Sequence, residues 1–347
     1  MYRERVPYYR KLEQLFESKL LVYITSDRPN MAAQIAPDVI EYFIDHLDKM
    51  RLSCDKISLF LYTRGGNTSA ARNIVNLLRM YCENLQVIVP YKAHSAGTII
   101  SLGANEIVMT KQATLGPIDP SLHTPLNPRV EGSIYPVSVE AVKGYLGFAK
   151  DELGISDTAS LTSIFEKLTD FVHPLVLGEV YRSKAQIQMM AKKLLQNQVT
   201  DPEKIKRIID FLCSESGSHD YTINRREARN ELGLNIRNPN DEEYELIKKI
   251  YDDINDELLF SKPFLLSEIN GSYSVRRCLL ESVIGGSDYF STEGVVVRGT
   301  TPDGQPAIQN KVNFEGWRHD LSSDQPEMTV GVGGEEIIYE RGSEYRI

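Results

Sequence analysis

ISLFLYTRGGN, residues 57–67, decides the architecture. Ile57–Tyr62 is a short apolar run that reads as a buried strand, and Arg64-Gly65-Gly66-Asn67 follows it as a turn. Ala70–Tyr81 then sets Ile74, Val75, Leu77 and Leu78 on the inward face of an amphipathic helix. The same order stands upstream. Leu20–Thr25 (LLVYIT) is a β-like run broken at Pro29-Asn30, and from Asp38 to Met50 the residues Val39, Ile40, Phe43, Ile44, Leu47 and Met50 fall at three- and four-residue spacing. Downstream, Gln86–Val89 predicts a strand, small residues around Ser95 a turn, the segment through Leu102 an apolar helix, and Ile107–Met109 another strand. Strands alternating with helices imply parallel pairing and an α/β fold.

Beyond Gly116 the character changes. Leu115–Gly132 carries several prolines and reads as a long irregular loop, followed by helices predicted over Val139–Glu152 and Pro174–Leu195. Asp201-Pro202 caps a helix over Glu203–Cys213, Ser216–Asp220 is a polar turn, and Arg225–Leu232 is a short helix stopped by Gly233. Asn240–Phe260 predicts a long acidic helix. The expected division is a domain over 1–260 and an extension over 261–347. In the extension, Gly294–Gln309 holds two β-like runs around Pro302-Asp303-Gly304, a hairpin signal. From about Ser322 the chain is polar and glycine-rich, and no tandem repeat is present.

Composition narrows the function. The chain has 347 residues, 41% hydrophobic and 25% charged, which is ordinary globular usage. A net charge of −9 argues against a broad face for duplex nucleic acid. No apolar stretch approaches the roughly 20 residues of a membrane helix. MYRERVPYYRKLEQLF lacks the apolar region of a signal peptide, so a cytoplasmic protein is expected. Cys54, Cys82, Cys213 and Cys278 are far apart with no CxxC, which suits reduced structural thiols and neither a zinc site nor a disulfide frame.

Three segments each offer one part of an acyl-transfer site. In Tyr62–Asn67, adjacent Gly65 and Gly66 let the backbone turn sharply and leave N–H groups unshielded, as an oxyanion hole requires; a plain strand-to-helix turn is the simpler alternative. In Ala93–Thr98, Ser95 stands where α/β proteins put their sites, with small Ala96 and Gly97 leaving room for an extended substrate. Ala93 occupies the first glycine position of G-x-S-x-G, so this is not that motif, and Ser95 serves equally well as a helix N-cap. The third is Ser218–Ile223. A serine nucleophile needs a base, and six histidines are available. His46 sits at a helix margin, His94 adjoins Ser95 in a turn where neighbours point apart, His123 lies in the proline-rich loop, His173 precedes Pro174, and His319 lies in the extension. Elimination leaves His219.

Together, Tyr62–Asn67, His94–Thr98, Gly103–Met109 and Leu115–Pro120 resemble the Clp-fold serine peptidases. The branch called serine dehydrogenase proteinases is the most similar, with signal-peptide peptidase and NfeD-type proteases as cousins. His173–Leu175, Val180–Ser183, His219–Ile223, Glu227-Ala228 and Leu232–Leu234 match that branch too, so ordered blocks span about Leu20 to Arg237. The resemblance implies a Clp/crotonase-type superhelical α/β fold with parallel sheets and packed helices. It maps the nucleophile to Ser95, the oxyanion donors to the N–H groups of the Gly65-Gly66 turn and of Ala96, and the base to His219. Asp119 fits the branch's Ser, Asp, His order; Asp220 aligns near the Clp peptidase's acid, though adjacent residues in extended chain point to opposite faces. Asp170, or no acid at all, stays open.

Two positions depart from the pattern. Arg64 stands where a proline is common, and its guanidinium there suits a substrate carboxylate or plain solvation. Ser138 stands nearest the lysine of the cousins' Ser–Lys dyad, which leaves Lys143 and Lys184 as solvated helix residues by default. The expectation is a serine peptidase acting on peptides or unfolded proteins, needing no metal or nucleotide. It assembles as a homo-oligomer, trimer-based, through helices such as Pro174–Leu195 and Asn240–Phe260, which otherwise pack on their own core. The alternatives are a catalytically silent assembly or recognition module and a crotonase-like acyl-CoA enzyme.

Overall fold

A computed structural model describes the chain except for residues 51–54, 119–120, 123, 131, 216–220, 301–304 and 321–347. The polypeptide begins with α1 (Tyr2–Phe16), then β1 (Lys19–Thr25), α2 (Ile40–Met50), β2 (Lys56–Tyr62), α3 (Thr68–Tyr81), β3 (Asn84–Val89), β4 (Lys92–Ala93), α4 (Ala96–Leu102), β5 (Glu106–Met109) and β6 (Thr114–Leu115). These are the alternating strands and helices that the apolar spacing predicts. α1 is an addition: its buried Tyr2, Val6, Tyr9, Leu12 and Phe16 keep helical spacing around Pro7.

β1, β2, β3 and β5 pair in parallel, and alternate residues of each strand serve opposite faces. On one face Leu21, Tyr23, Leu59, Leu61 and Val87 meet α2, α3 and α4. On the other, Leu20, Val22, Ile24, Phe60 and Ile88 meet α1 and, later in the chain, α10 (Asp241–Leu258). α10 therefore spends its apolar face, Leu246, Ile247, Ile250, Ile254 and Leu258, on its own core.

The predicted irregular loop after Gly116 contains short paired pieces: β7 (Ser121–Leu122) with β10 (Val137–Ser138), and β8 (Arg129–Val130) with β9 (Ser133–Ile134). α5 (Val139–Gly147) continues into a wide turn over Phe148–Glu152. α6 (Thr158–Phe171), which the sequence reading did not separate, precedes α7 (Pro174–Leu195) and α8 (Pro202–Asp210). β11 (Ile223–Asn224), α9 (Arg225–Asn230) and β12 (Ile236–Arg237) complete this region.

The extension prolongs the main sheet. β13 (Gly271–Ser282) pairs antiparallel with β1, then with β14 (Gly286–Thr300), which pairs with β15 (Pro306–Asp320). β14 and β15 are the arms of the predicted hairpin; its Pro302-Asp303-Gly304 turn lies outside the described residues, as does the tail from Ser322. Trp317 fastens β15 to the core by donating from Nε1 to Asp38 (2.7 Å) and stacking on Tyr42.

A second fastening is centred on the fully buried His46. His46 of α2 bonds through Nδ1 to Ser282 Oγ (2.7 Å) and through Nε2 to Asp288 (2.8 Å), whose other oxygen meets His319 Nδ1 (2.8 Å). Burial alone raises the Asp288 carboxyl, but the bonds from His319 and His46 outweigh it and hold the group below its ordinary 3.8. A carboxyl depressed by folding contributes its full stabilisation above about pH 4 and loses it as pH falls through the folded value. Asp288→Asn is therefore expected to cost about 2–4 kcal/mol in urea unfolding at pH 7. That gap narrows below about pH 4; a gap constant with pH contradicts the assignment.

Candidate active site

The C-terminal ends of β1, β2 and β3 converge on a small second sheet. In it β4 pairs in parallel with β6, and β11 pairs antiparallel with β6, so Ala93, Leu115 and Ile223 lie side by side. Chain direction then dictates that Ser95, Pro117 and Tyr221 all lie off the same end. Leucine 212 strengthens this meeting, its carbonyl accepting from Ile118 N–H (2.9 Å). Asp119, His219 and Asp220 lie outside the described residues, so the geometry concerns their flanks.

Ser95 has φ 51° and ψ −113°, a conformation costly for a residue with a side chain. It occupies the N-cap position of α4, yet its hydroxyl makes no capping bond. Among the described residues nothing hydrogen-bonds that hydroxyl. The shape is the sharp strand-to-helix turn of a nucleophile elbow, reached here without its glycine signature. What permits it is small neighbours. A Cβ on Gly97 would lie 2.4 Å from Thr63 Cγ2, and one on Gly65 would lie 2.8 Å from Ser95 Cβ. Gly97 is thus buried packing against Thr63, while Gly65 lies directly against the serine.

The Gly65-Gly66 turn is held by its own hydrogen bonds. Thr63 Oγ1 accepts from Gly65 N–H (3.0 Å), and Thr25 Oγ1 donates to Thr63 Oγ1 (2.7 Å). Gly65 carbonyl accepts from Ile35 N–H (2.9 Å), and Ile35 carbonyl accepts from Asn67 N–H (2.8 Å). In a trans peptide C=O and the next N–H point in opposite directions, so Gly66 N–H faces away from Ile35. It makes no hydrogen bond among the described residues. Both glycines have positive φ, 119° and 142°, and a Cβ on Gly66 would come within 2.4 Å of Ile35 carbonyl oxygen. Arg64, between turn and strand, is exposed.

Thr98 ties the remaining wall together: its hydroxyl bonds Ala93 carbonyl (2.9 Å) and Gly116 carbonyl (2.8 Å) and lies 3.0 Å from Gly116 N–H. Thr63, Thr98 and Ile35 escaped the sequence reading; Thr63 alone had a signal, its place beside the double glycine. The described histidines have other duties. His94 Nε2 pairs with Thr114 Oγ1 (2.8 Å), His173 caps α7 by accepting from Leu175 N–H, and His46 and His319 grip Asp288. Lys92, three residues before Ser95, pairs with Asp27, which also accepts from Tyr62. Among the described residues no group of three or more His, Cys, Asp or Glu side chains is arranged to hold a metal ion. Nor is any helix among them long and apolar enough to cross a membrane.

The model of a family described as ClpP-like SDH-type serine proteinase matches residues 45–257, more than half of the chain. Two uncharacterized proteins of Methanocaldococcus jannaschii are similar. One is 30% identical over 56% of this chain and 58% of its own length, the other 28% identical over 52% and 51%. The chain thus spans about half the length of the curated relatives it matches. Among solved structures, the 1510-N membrane-bound stomatin-specific protease overlaps 70% of this chain and 86% of its own at 16% identity and TM-score 0.38. ClpP1 from Listeria monocytogenes overlaps 66% and 97% at 14% identity and TM-score 0.35. Those overlaps are loose, and the assignment rests on the family match.

The stored strain has a measurable consequence. Ser95→Gly removes the penalty on positive φ that Ser95→Ala keeps, so the glycine variant is expected to be more stable by about 1 kcal/mol in urea unfolding. A more stable alanine variant contradicts the geometry.

Proposed function

As this chain belongs to the ClpP-like SDH-type serine proteinases, we propose that it hydrolyses peptide bonds of peptides or unfolded proteins through an acyl-enzyme on Ser95. The observation that carries this reading is the strained, uncapped Ser95 set against a double-glycine turn. Ser95 Oγ attacks the scissile carbonyl carbon while its proton passes to His219. The carbonyl oxygen gains the negative charge and receives the N–H groups of Gly66 and Ala96. His219 then returns the proton to the leaving amine as the C–N bond breaks, and water, activated by the same imidazole, cleaves the ester.

Support for His219 is indirect. Ile223 stands beside Leu115 and Ala93, and the four residues back to His219 reach at most about 14 Å, enough to return to the serine. The described histidines are committed elsewhere, as set out above. Asp119 is the preferred orienting acid, because Ile118 is tied to the segment that leads to His219; Asp220, adjacent to the base, is the alternative. Arg64, exposed at the mouth of the turn, suits a substrate carboxylate. Residues 1–260 form the peptidase unit on this reading, with 261–347 as its extension.

A homo-oligomer completes the proposal. No residue of α6 is buried, and Phe165 and Phe171 are 47% and 76% exposed, with Leu175 and Tyr181 at 64% and 79% on α7. Apolar exposure of this kind marks a contact surface, here for a second copy of the chain.

A fluorophosphonate is expected to label Ser95, with loss of fluoride, and Ser95→Ala to abolish both labelling and cleavage of fluorescein-labelled casein. His219→Ala should lower both by at least about 100-fold. Cleavage surviving Ser95→Ala removes the nucleophile, and full activity in His219→Ala removes the base. No labelling of the native oligomer favours a silent assembly module instead. Light scattering should report a mass above one chain, and Phe165→Asp with Phe171→Asp should lower it; a monomer at working concentration contradicts assembly.

A further inference from the structure

The Gly65-Gly66 turn is gripped by a loop, and that loop is gripped by the extension. Residues 26–36 leave β1 and cross to the turn, where Ile35 donates to Gly65 carbonyl and accepts from Asn67 N–H. Nothing in residues 26–36 is regular helix or long strand; the loop turns on itself through Met31 N–H to Arg28 carbonyl (2.9 Å) and Ala33 N–H to Ser26 carbonyl (2.7 Å). Its position depends on outside contacts.

Tyr62 and Lys92 hold Asp27 near its start; the other contacts come from beyond residue 260. Ser26 N–H donates to the backbone carbonyl of Arg277 (2.8 Å), and the Arg277 side chain reaches along the loop to donate from Nη2 to Ala32 carbonyl (2.7 Å). Nη1 of the same side chain is tethered to Thr292 Oγ1 (3.0 Å) and Glu315 (3.1 Å), one on each arm of the β14–β15 hairpin. At the other side of the loop Phe264 N–H donates to Pro29 carbonyl (3.0 Å), Asn30 donates to Phe264 carbonyl (3.0 Å), and Arg28 donates to Lys262 carbonyl (2.9 Å) with its guanidinium over the Phe264 ring. A chain of contacts thus runs from the hairpin through the Arg277 side chain, Ala32 and Ile35 to the peptide plane between Gly65 and Gly66.

We propose that the extension is part of the catalytic apparatus, with Arg277 a positioning residue that fixes the loop 26–36 so that Ile35 holds Gly66 N–H toward Ser95. Two adjacent glycines with positive φ resist rotation of the peptide between them very little. Released from Ile35, the Gly65 carbonyl keeps only its longer contact with Thr63 Oγ1 (3.3 Å), and the peptide can rotate to offer that carbonyl where the donor should be. The inference rests on the acyl-enzyme reading of Ser95 and adds to it a function for the extension.

The test is the kinetics of fluorophosphonate labelling of the full chain, which separates the maximal labelling rate from reagent affinity and from the fraction that reacts. Arg277→Met keeps the side-chain stem and removes the donors. It is expected to lower the maximal rate about tenfold, a partial version of losing an oxyanion donor, with affinity unchanged. Arg277→Lys, which restores one donor to Ala32, recovers part of the rate. Arg28→Met tests the other grip in the same way. A purely structural role for Arg277 would lower the reactive fraction and the melting temperature while the reacting molecules kept the wild-type rate; that result, or wild-type rates in Arg277→Met and Arg28→Met alike, overturns the inference. Wild-type protein that does not label at Ser95 overturns instead the reading of the site on which it rests.

Discussion

The peptide between Gly65 and Gly66 is the constraint on which the site depends. Its carbonyl accepts from Ile35 N–H (2.9 Å) and, at longer range, from Thr63 Oγ1 (3.3 Å), which leaves Gly66 N–H facing away from Ile35. Ser95, with its backbone at positive φ, sits so close to Gly65 that a Cβ there would lie 2.8 Å from its own. The parallel sheet supplies the rigid support: β1 delivers Thr25, β2 delivers Thr63, and the short β4 delivers Ser95, all from one end of the strands.

Much of this was legible in the sequence because it rests on short-range patterns. LLVYIT and ISLFLY read as strands, Val39 through Met50 and Ile74 through Leu78 as helix faces, and these hold in the structure except at Ile44, which is exposed. α1 was hidden behind the polar run RERVPYYRK, whose apolar positions are interleaved with arginines; one of these, Arg5, is fully buried between Glu281 and Glu257. No pattern announces such a residue, since only a distant strand and helix make it affordable to bury. α6 was missed for the opposite reason, having no buried face to read against.

At the site, the double glycine and Ser95 could be picked out as chemistry-bearing residues, whereas their restraints could not. Ile35 acts through its main chain, which carries no side-chain signature, and Thr98 looks like any helix-interior threonine until Gly116 is seen beside it. The extension likewise showed a hairpin signal but not its partner: strand β13 follows β1 in space while lying some 250 positions later in the chain. Long-range pairing of that kind, between residues such as Val22 and Glu281, is not written in local spacing.

Seen physically, the molecule is a strained serine and a pliable glycine turn, each made definite by contacts from elements far away in sequence. A crystal structure with a peptide boronate bound addresses this most directly. The account predicts boron bonded to Ser95 Oγ with one boronate oxygen within hydrogen-bond distance of Gly66 and Ala96 N–H, and Gly65 carbonyl still on Ile35. Boron bonded elsewhere, or Gly65 carbonyl turned toward Ser95 in that complex, contradicts it.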